Sequence, residues 1–285
     1  MAPDRGGLVD DTARARLAEL AEAEFALSLA RAAPDDVREE LGMSDARIGS
    51  GVAVGMRHDP TGGFWNRALG FGAVDPFTPE QLGAVLSFFD GVMPPAAIVQ
   101  LDPLARPDGW EQQLEAAGLA PGASWVKFLT PIGDALTPEV PSLTVRQVDA
   151  DGARRFAEVY MQGYGIPAEA EPFRRWLQCL PTTPDWLCFG AWEGETLIAA
   201  ANLFVAGEVA VLGGAGTVPE RRGRGAQLAL MSARVRAARD AGCQWVSTET
   251  GSETPQAPNP SLHNMRRLGL TELYERRNWV YRPTR

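Results

Sequence analysis

Apolar positions fall along the chain in alternating helical and strand-like periods, in two runs that end alike. Residues 12–42 are rich in Ala, Leu, Glu and Arg at helical spacing, and Pro34 opens a second helix after Ala33. Ile48 to Met56 and Phe64 to Gly72 mix apolar with small residues and predict strands. Thr78-Pro79-Glu80 is a helix start, with an N-cap hydroxyl, a proline at the first position and an acid in the first turn; the helix is predicted over 78–90. Ala96 to Leu101 predicts a buried strand, 109–117 a helix closed by Gly118, and 124–129 another strand.

Three prolines and no periodicity mark residues 131–142 as a linker between an N-terminal domain, 1–130, and a C-terminal domain, 143–285. The second run predicts strands at 143–148, 186–192, 197–205, 209–218 and 244–250, with one or two more over 272–281. Helices are predicted at 151–163, 171–180, 225–241 and 261–268. Both runs close on a helix, Gly-Leu, a turn and a strand with a tryptophan: Leu114 to Phe128 and Met265 to Tyr281. This is an internal repeat, its first copy degenerate. The fold class is α/β (α+β).

Composition narrows the chemistry. Of 285 residues, 45% are hydrophobic, and no run of about 20 apolar residues predicts a membrane span. The segment Met1 to Asp11 lacks a signal pattern, and Cys179, Cys188 and Cys243 have no metal-ligand spacing; a reducing, cytoplasmic setting follows. A net charge of −9 argues against a nucleic-acid partner. Lys127 is the only lysine, so no P-loop is possible, and it alone could form a Schiff base. Two histidines, His58 and His263, are too few for a histidine metal site, so no metal is expected.

The stretch Val218-Pro219-Glu220-Arg221-Arg222-Gly223-Arg224-Gly225-Ala226-Gln227-Leu228 lies between an apolar strand and a long helix. A helix start offers unpaired N–H donors and the positive end of a dipole, glycines admit close approach, and arginines add charge: a site for a pyrophosphate. A dinucleotide fingerprint would want a third glycine where Leu228 stands. The stretch resembles motif A of the GCN-type (GNAT) N-acetyltransferases, read here as Arg222-x-x-Gly225-x-Gln227. The resemblance covers 143–285 and implies two tandem GNAT-like domains, each a mixed, mostly antiparallel sheet flanked by helices, of which only the second binds acetyl-CoA. It implies that the N–H groups of residues 222–227 (Arg222, Gly223, Arg224, Gly225, Ala226, Gln227) hold the pyrophosphate. It further implies that Thr217 and Val218 bind the pantetheine arm, that Gly213-Gly214 form a bulge splaying the central strands, and that Ser261 and Asn264 face the cofactor. The tyrosine that many members carry four residues before the closing glycine is Met265 here.

N-acetyl transfer needs a base for an ammonium and a donor for the leaving thiolate. Glu249, on a strand between Thr248 and Thr250, is the candidate base, set against a polar strand end. Tyr160, Tyr164 and Trp176 lie on the two helices that line the acceptor site in the family. The expected acceptor is a primary amine of a small molecule or peptide, the expected protein a monomer or homodimer, and the competing function a non-catalytic acyl-CoA sensor or structural module.

Overall fold

A computed structural model describes residues 10–284. The segment read as lacking a signal pattern lies, up to residue 9, outside the described residues. The chain runs α1 (Asp11–Arg31), α2 (Asp35–Leu41), β1 (Met43–Ile48), β2 (Gly51–Met56), β3 (Arg67–Phe71), α3 (Pro79–Val92), β4 (Ala97–Leu101), α4 (Trp110–Ala116) and β5 (Ala120–Pro131). The second half follows as β6 (Thr144–Gln147), α5 (Ala153–Tyr164), α6 (Glu171–Gln178), β7 (Trp186–Glu193), β8 (Thr196–Ala206) and β9 (Val209–Thr217). It ends with α7 (Ala226–Asp240), β10 (Trp245–Gly251), α8 (Pro260–Arg267) and β11 (Glu272–Tyr281).

β5, predicted over 124–129, runs on at both ends, and two other predicted strands differ in extent for local reasons. The strand expected over 48–56 is a hairpin of β1 and β2, turned at Gly49, whose φ of 59° suits glycine. The strand expected from Phe64 starts only at Arg67. The Asp59 carboxylate accepts from the N–H groups of Thr61, Gly63 and Trp65 and from the Asn66 side chain, which folds 59–66 into a loop.

Among the described residues, all strands join one eleven-stranded sheet in the order β1-β2-β3-β4-β11-β5-β10-β9-β8-β7-β6. The two halves mirror each other about the antiparallel β11–β5 pair, and each has one parallel pair, β3–β4 and β9–β10. The predicted repeat is therefore present as topology. Its closing units share their hydrogen bonds. Gly118 and Gly269 are both left-handed, and Leu119 and Leu270 donate five residues back, to Leu114 and Met265.

The halves exchange their last strands. β5, from the first half, pairs with β10 of the second, and its Phe128 sits in a core with Leu230, Met231 and Val246. β11, from the second half, pairs with β4, and its Trp279 sits in a core with Phe77, Phe89 and Trp110. Each half thus completes the other.

β8 is buried from Leu197 to Phe204 because both its faces are covered. α5 packs on one face with Phe156 and Ala157, α7 on the other with Leu230 and Val235. α1 is buried along most of its length by alanines, which permit close packing; a Cβ on Gly70 of β3 would lie 2.9 Å from that of Ala23.

Candidate active site

The pairing of β9 with β10 ends at Val211 and Ser247, beyond which the strands diverge. One extra residue in β9 starts the divergence: Gly213 and Gly214 together face Asn202 of β8, between the pairs Leu203–Leu212 and Ala201–Ala215. Side chains are excluded there. A Cβ on Gly213 would collide with the Asn202 amide and one on Gly214 with the Tyr160 hydroxyl. The bulge thus lies where the family resemblance implies it.

β9 then runs into a tight turn, Pro219–Arg221, and the glycine loop. Gly223 and Gly225 have φ of 78° and 82°, and Gly225 enters α7 without a side-chain cap. Among the described residues, the N–H groups from Gly223 to Leu228 find no protein acceptor. They form a donor array at the positive end of the helix dipole. The matching helix of the first half is closed instead. Thr78 and Gln81 satisfy the start of α3 reciprocally as a capping box, so no free array exists there.

Gln227 joins this array to α8. Its amide donates to the Ser261 hydroxyl at 2.6 Å and accepts from the Asn264 amide at 2.8 Å. Three residues expected at the cofactor are therefore one hydrogen-bonded group. Arg222 reaches the Gly163 carbonyl at the end of α5, at 3.0 Å, and Arg221 and Arg224 both pair with Glu193. Thr217 and Val218 follow the splayed part of β9, and the Val218 N–H pairs with Ile198.

A cavity of about 350 Å³ opens at the splay and is walled by both halves. Gln227, Ser261 and Met265 line it. Leu29, Met43, Val54, Met56 and Trp176, mostly from the first half, supply apolar lining. Glu22, Arg67, Lys127 and Glu249 also line it, with an aromatic wall of Phe64, Trp65, Trp125 and Tyr164. Tyr160 is fully buried behind this wall, stacked on Tyr164 at 4.9 Å between ring centres. Of the two expected tyrosines, only Tyr164 lines the cavity.

The central charges belong to a larger buried network. Three carboxylates, Glu19, Glu22 and Glu249, meet three cations, Arg67, Lys127 and Arg276. Glu249 lies directly across from Lys127 in the β10–β5 pairing, with the two charges 3.0 Å apart, and also contacts Arg67 at 2.6 Å and Arg276 at 2.7 Å. Burial opposes its ionisation, but Lys127, Arg67 and Arg276 outweigh burial and hold its carboxyl well below the usual range. Burial pushes Glu22 above its usual value, against the pull of Arg276, while the Glu249 charge adds to the rise. A carboxylate gripped by three cations is a poor proton acceptor, which disfavours the expected role of Glu249 as the base.

The sequence pattern does not single out Glu19, Glu22, Arg67 or Arg276, and it marks Lys127 only as a Schiff-base candidate. Two signals were available: acids three apart on an alanine-rich helix, and a lone lysine inside an apolar run. Among the described residues no group of three or more His, Cys, Asp or Glu could hold a metal ion, and no helix is long and apolar enough to cross a membrane.

The family model described as "Acetyltransferase (GNAT) family" matches residues 153–269. A GCN5-related N-acetyltransferase from Kribbella flavida shares the fold at 19% identity and a TM-score of 0.61, over 94% of this chain and 95% of that one. A tandem GNAT protein from the clavulanic acid biosynthesis pathway does so at 14% identity and 0.58, over 97% of both chains. A GCN5-related N-acetyltransferase from Sphaerobacter thermophilus follows at 16% and 0.56, over 82% of both. No curated protein matches the chain significantly.

Proposed function

We propose, for a chain whose residues 153–269 match the GNAT acetyltransferase family model, that the protein moves an acetyl group from acetyl-CoA to a primary amine of a small molecule or peptide. The family match supports the coarser statement, acyl-CoA-dependent acetyl transfer. One observation carries the placement on this chain. The free donor array from Gly223 to Leu228 includes Gln227, which with Ser261 lines the shared cavity. The array would hold the pyrophosphate, the Gln227–Ser261–Asn264 group would flank it, and the splayed edge near Thr217 and Val218 would take the pantetheine arm. The amine would enter from the first half, past the aromatic wall and Trp176.

In the reaction, the amine nitrogen bonds to the acyl carbon as the carbon–sulfur bond breaks; the ammonium nitrogen sheds two protons in all, one to solvent before attack and one as the amide forms, and the second makes good the proton that the leaving thiolate takes from its donor. Holding amine and thioester together supplies much of the rate. Glu249 serves here by fixing Lys127 and Arg67 in the wall. The donor to the thiolate is Tyr164 in place of the residue at Met265. Its hydroxyl accepts from the Ala215 N–H at 3.2 Å, which leaves its own proton free to donate. A tyrosine is protonated at neutral pH.

Titration calorimetry with CoA and acetyl-CoA, followed by thiol release from a panel of amines, tests this reading. No binding of either would sink it. Binding without thiol release would favour the non-catalytic sensor, which the apolar, buried Met265 supports.

A further inference from the structure

Arg234 lies on the same face of α7 as Gln227 and Met231, and all three line the cavity. It is 1% exposed, yet no carboxylate comes within ion-pair distance of it among the described residues. Every other fully buried cation of the cavity region meets at least two carboxylates. Arg234 has only main-chain carbonyls. Its Nε donates to Leu230 at 3.2 Å, and its Nη1 to Asn202 at 2.9 Å and Gly213 at 3.1 Å, the two sides of the bulge. Its Nη2, with two N–H donors, makes no hydrogen bond to the protein among the described residues. Carbonyl dipoles satisfy part of the guanidinium but do not cancel its charge, and burying an uncompensated charge is costly. Burial accordingly pulls its pKa down to about 10. The other cavity cations are already neutralised by Glu19, Glu22 and Glu249, so the unmatched charge on this wall is that of Arg234.

We propose that the cavity takes a ligand bearing a carboxylate, which Arg234 binds through its free Nη2. This rests on the acyl-CoA reading of the site. The carboxylate has two possible sources: the far end of a dicarboxylic acyl group on CoA, or the amine acceptor. A planar guanidinium facing a carboxylate in a desolvated site forms a strong, charge-assisted pair. The bulge carbonyls hold it in that orientation, and Tyr164 stands beside it in the wall.

The test uses the full chain and two arms. In the first, calorimetry compares CoA, acetyl-CoA, butyryl-CoA, malonyl-CoA and succinyl-CoA. In the second, with acetyl-CoA as donor, amines carrying a carboxylate are compared with their carboxamides by KM. A preference of about tenfold or more for the carboxylate is expected in one arm, and the arm identifies the source. Arg234→Gln should erase that preference, while Arg234→Lys, which keeps the charge, should retain part of it. Indifference of the wild type in both arms overturns the inference whether or not the variants fold, and so does a preference that survives in Arg234→Gln. If CoA itself fails to bind, the acyl-CoA reading falls and this inference with it. If CoA binds and neither arm shows a preference, this inference falls alone.

Discussion

At Gly225 one missing side chain decides both the shape of the loop and its fit. Its φ of 82° is left-handed, and a Cβ there would meet a Val140 methyl carbon at 3.0 Å. Gly225→Val should therefore displace the donor array, with strain of about 1–2 kcal/mol, and raise the dissociation constant for acetyl-CoA tenfold or more; unchanged calorimetric affinity would remove the loop from the site. Tyr164→Phe keeps the ring and loses the proton. It should lower kcat by roughly ten- to a hundredfold with acetyl-CoA affinity unchanged, and an unaltered kcat would leave the leaving thiolate without its proposed donor. Asp102 offers a pH readout. Burial, against the Leu104 N–H and with the Glu19 charge nearby, raises its pKa to about 6. Between the unfolded value near 4 and about 6, the folded state binds more protons than the unfolded state, so this group's contribution to stability falls as pH rises through that window and is flat above it. Asp102→Asn should flatten that decline, read as urea midpoints at pH 4, 5, 6 and 7; an unchanged pH slope would assign the titration elsewhere.

At the scale of elements, the loop was legible because its signal is local. Glycines, a proline and a following helix period lie within a dozen residues, and each has a backbone consequence that does not depend on distant partners. The helix starts at Thr78 and Gly225 and the closures at Gly118 and Gly269 were legible for the same reason. The charge network was not, because α1 meets β11 across the whole chain: Glu22 and Arg276 are 2.5 Å apart in space. Removing one member of a buried pair strands its partners, so Arg276→Met should destabilise by about 3–5 kcal/mol. Chemical denaturation measures this, and a loss below about 1 kcal/mol would mean the network is not shielded from water. The positions of β5 and β11 were equally hidden. Strand propensity says that a segment extends, not which neighbour it pairs with.

For the whole molecule, the exchanged strands join two repeats into one sheet. A chain of residues 143–285 alone would lose β5, leaving β10 as an open edge and uncovering the core around Leu230 and Val246. It should aggregate or remain unfolded when expressed alone and regain acyl-CoA binding only when co-expressed with residues 1–142. A folded, CoA-binding 143–285 would refute the interdependence. The arrangement also explains how a first half with a closed helix start still serves the site. It supplies α1, Arg67, Lys127 and the aromatic wall, and so lines the cavity that the second half opens.

The sequence by itself determined the local grammar: most elements, the repeat and the free helix start. These follow from backbone conformation and from periodicities contained within single segments. Only the tertiary structure decided that the halves trade strands, that Glu249 is locked among three cations and that Arg234 faces the cavity without an acid. Those depend on contacts between residues far apart in the chain, and a charged residue reads alike in sequence whether solvent, an opposite charge or nothing compensates it in the fold.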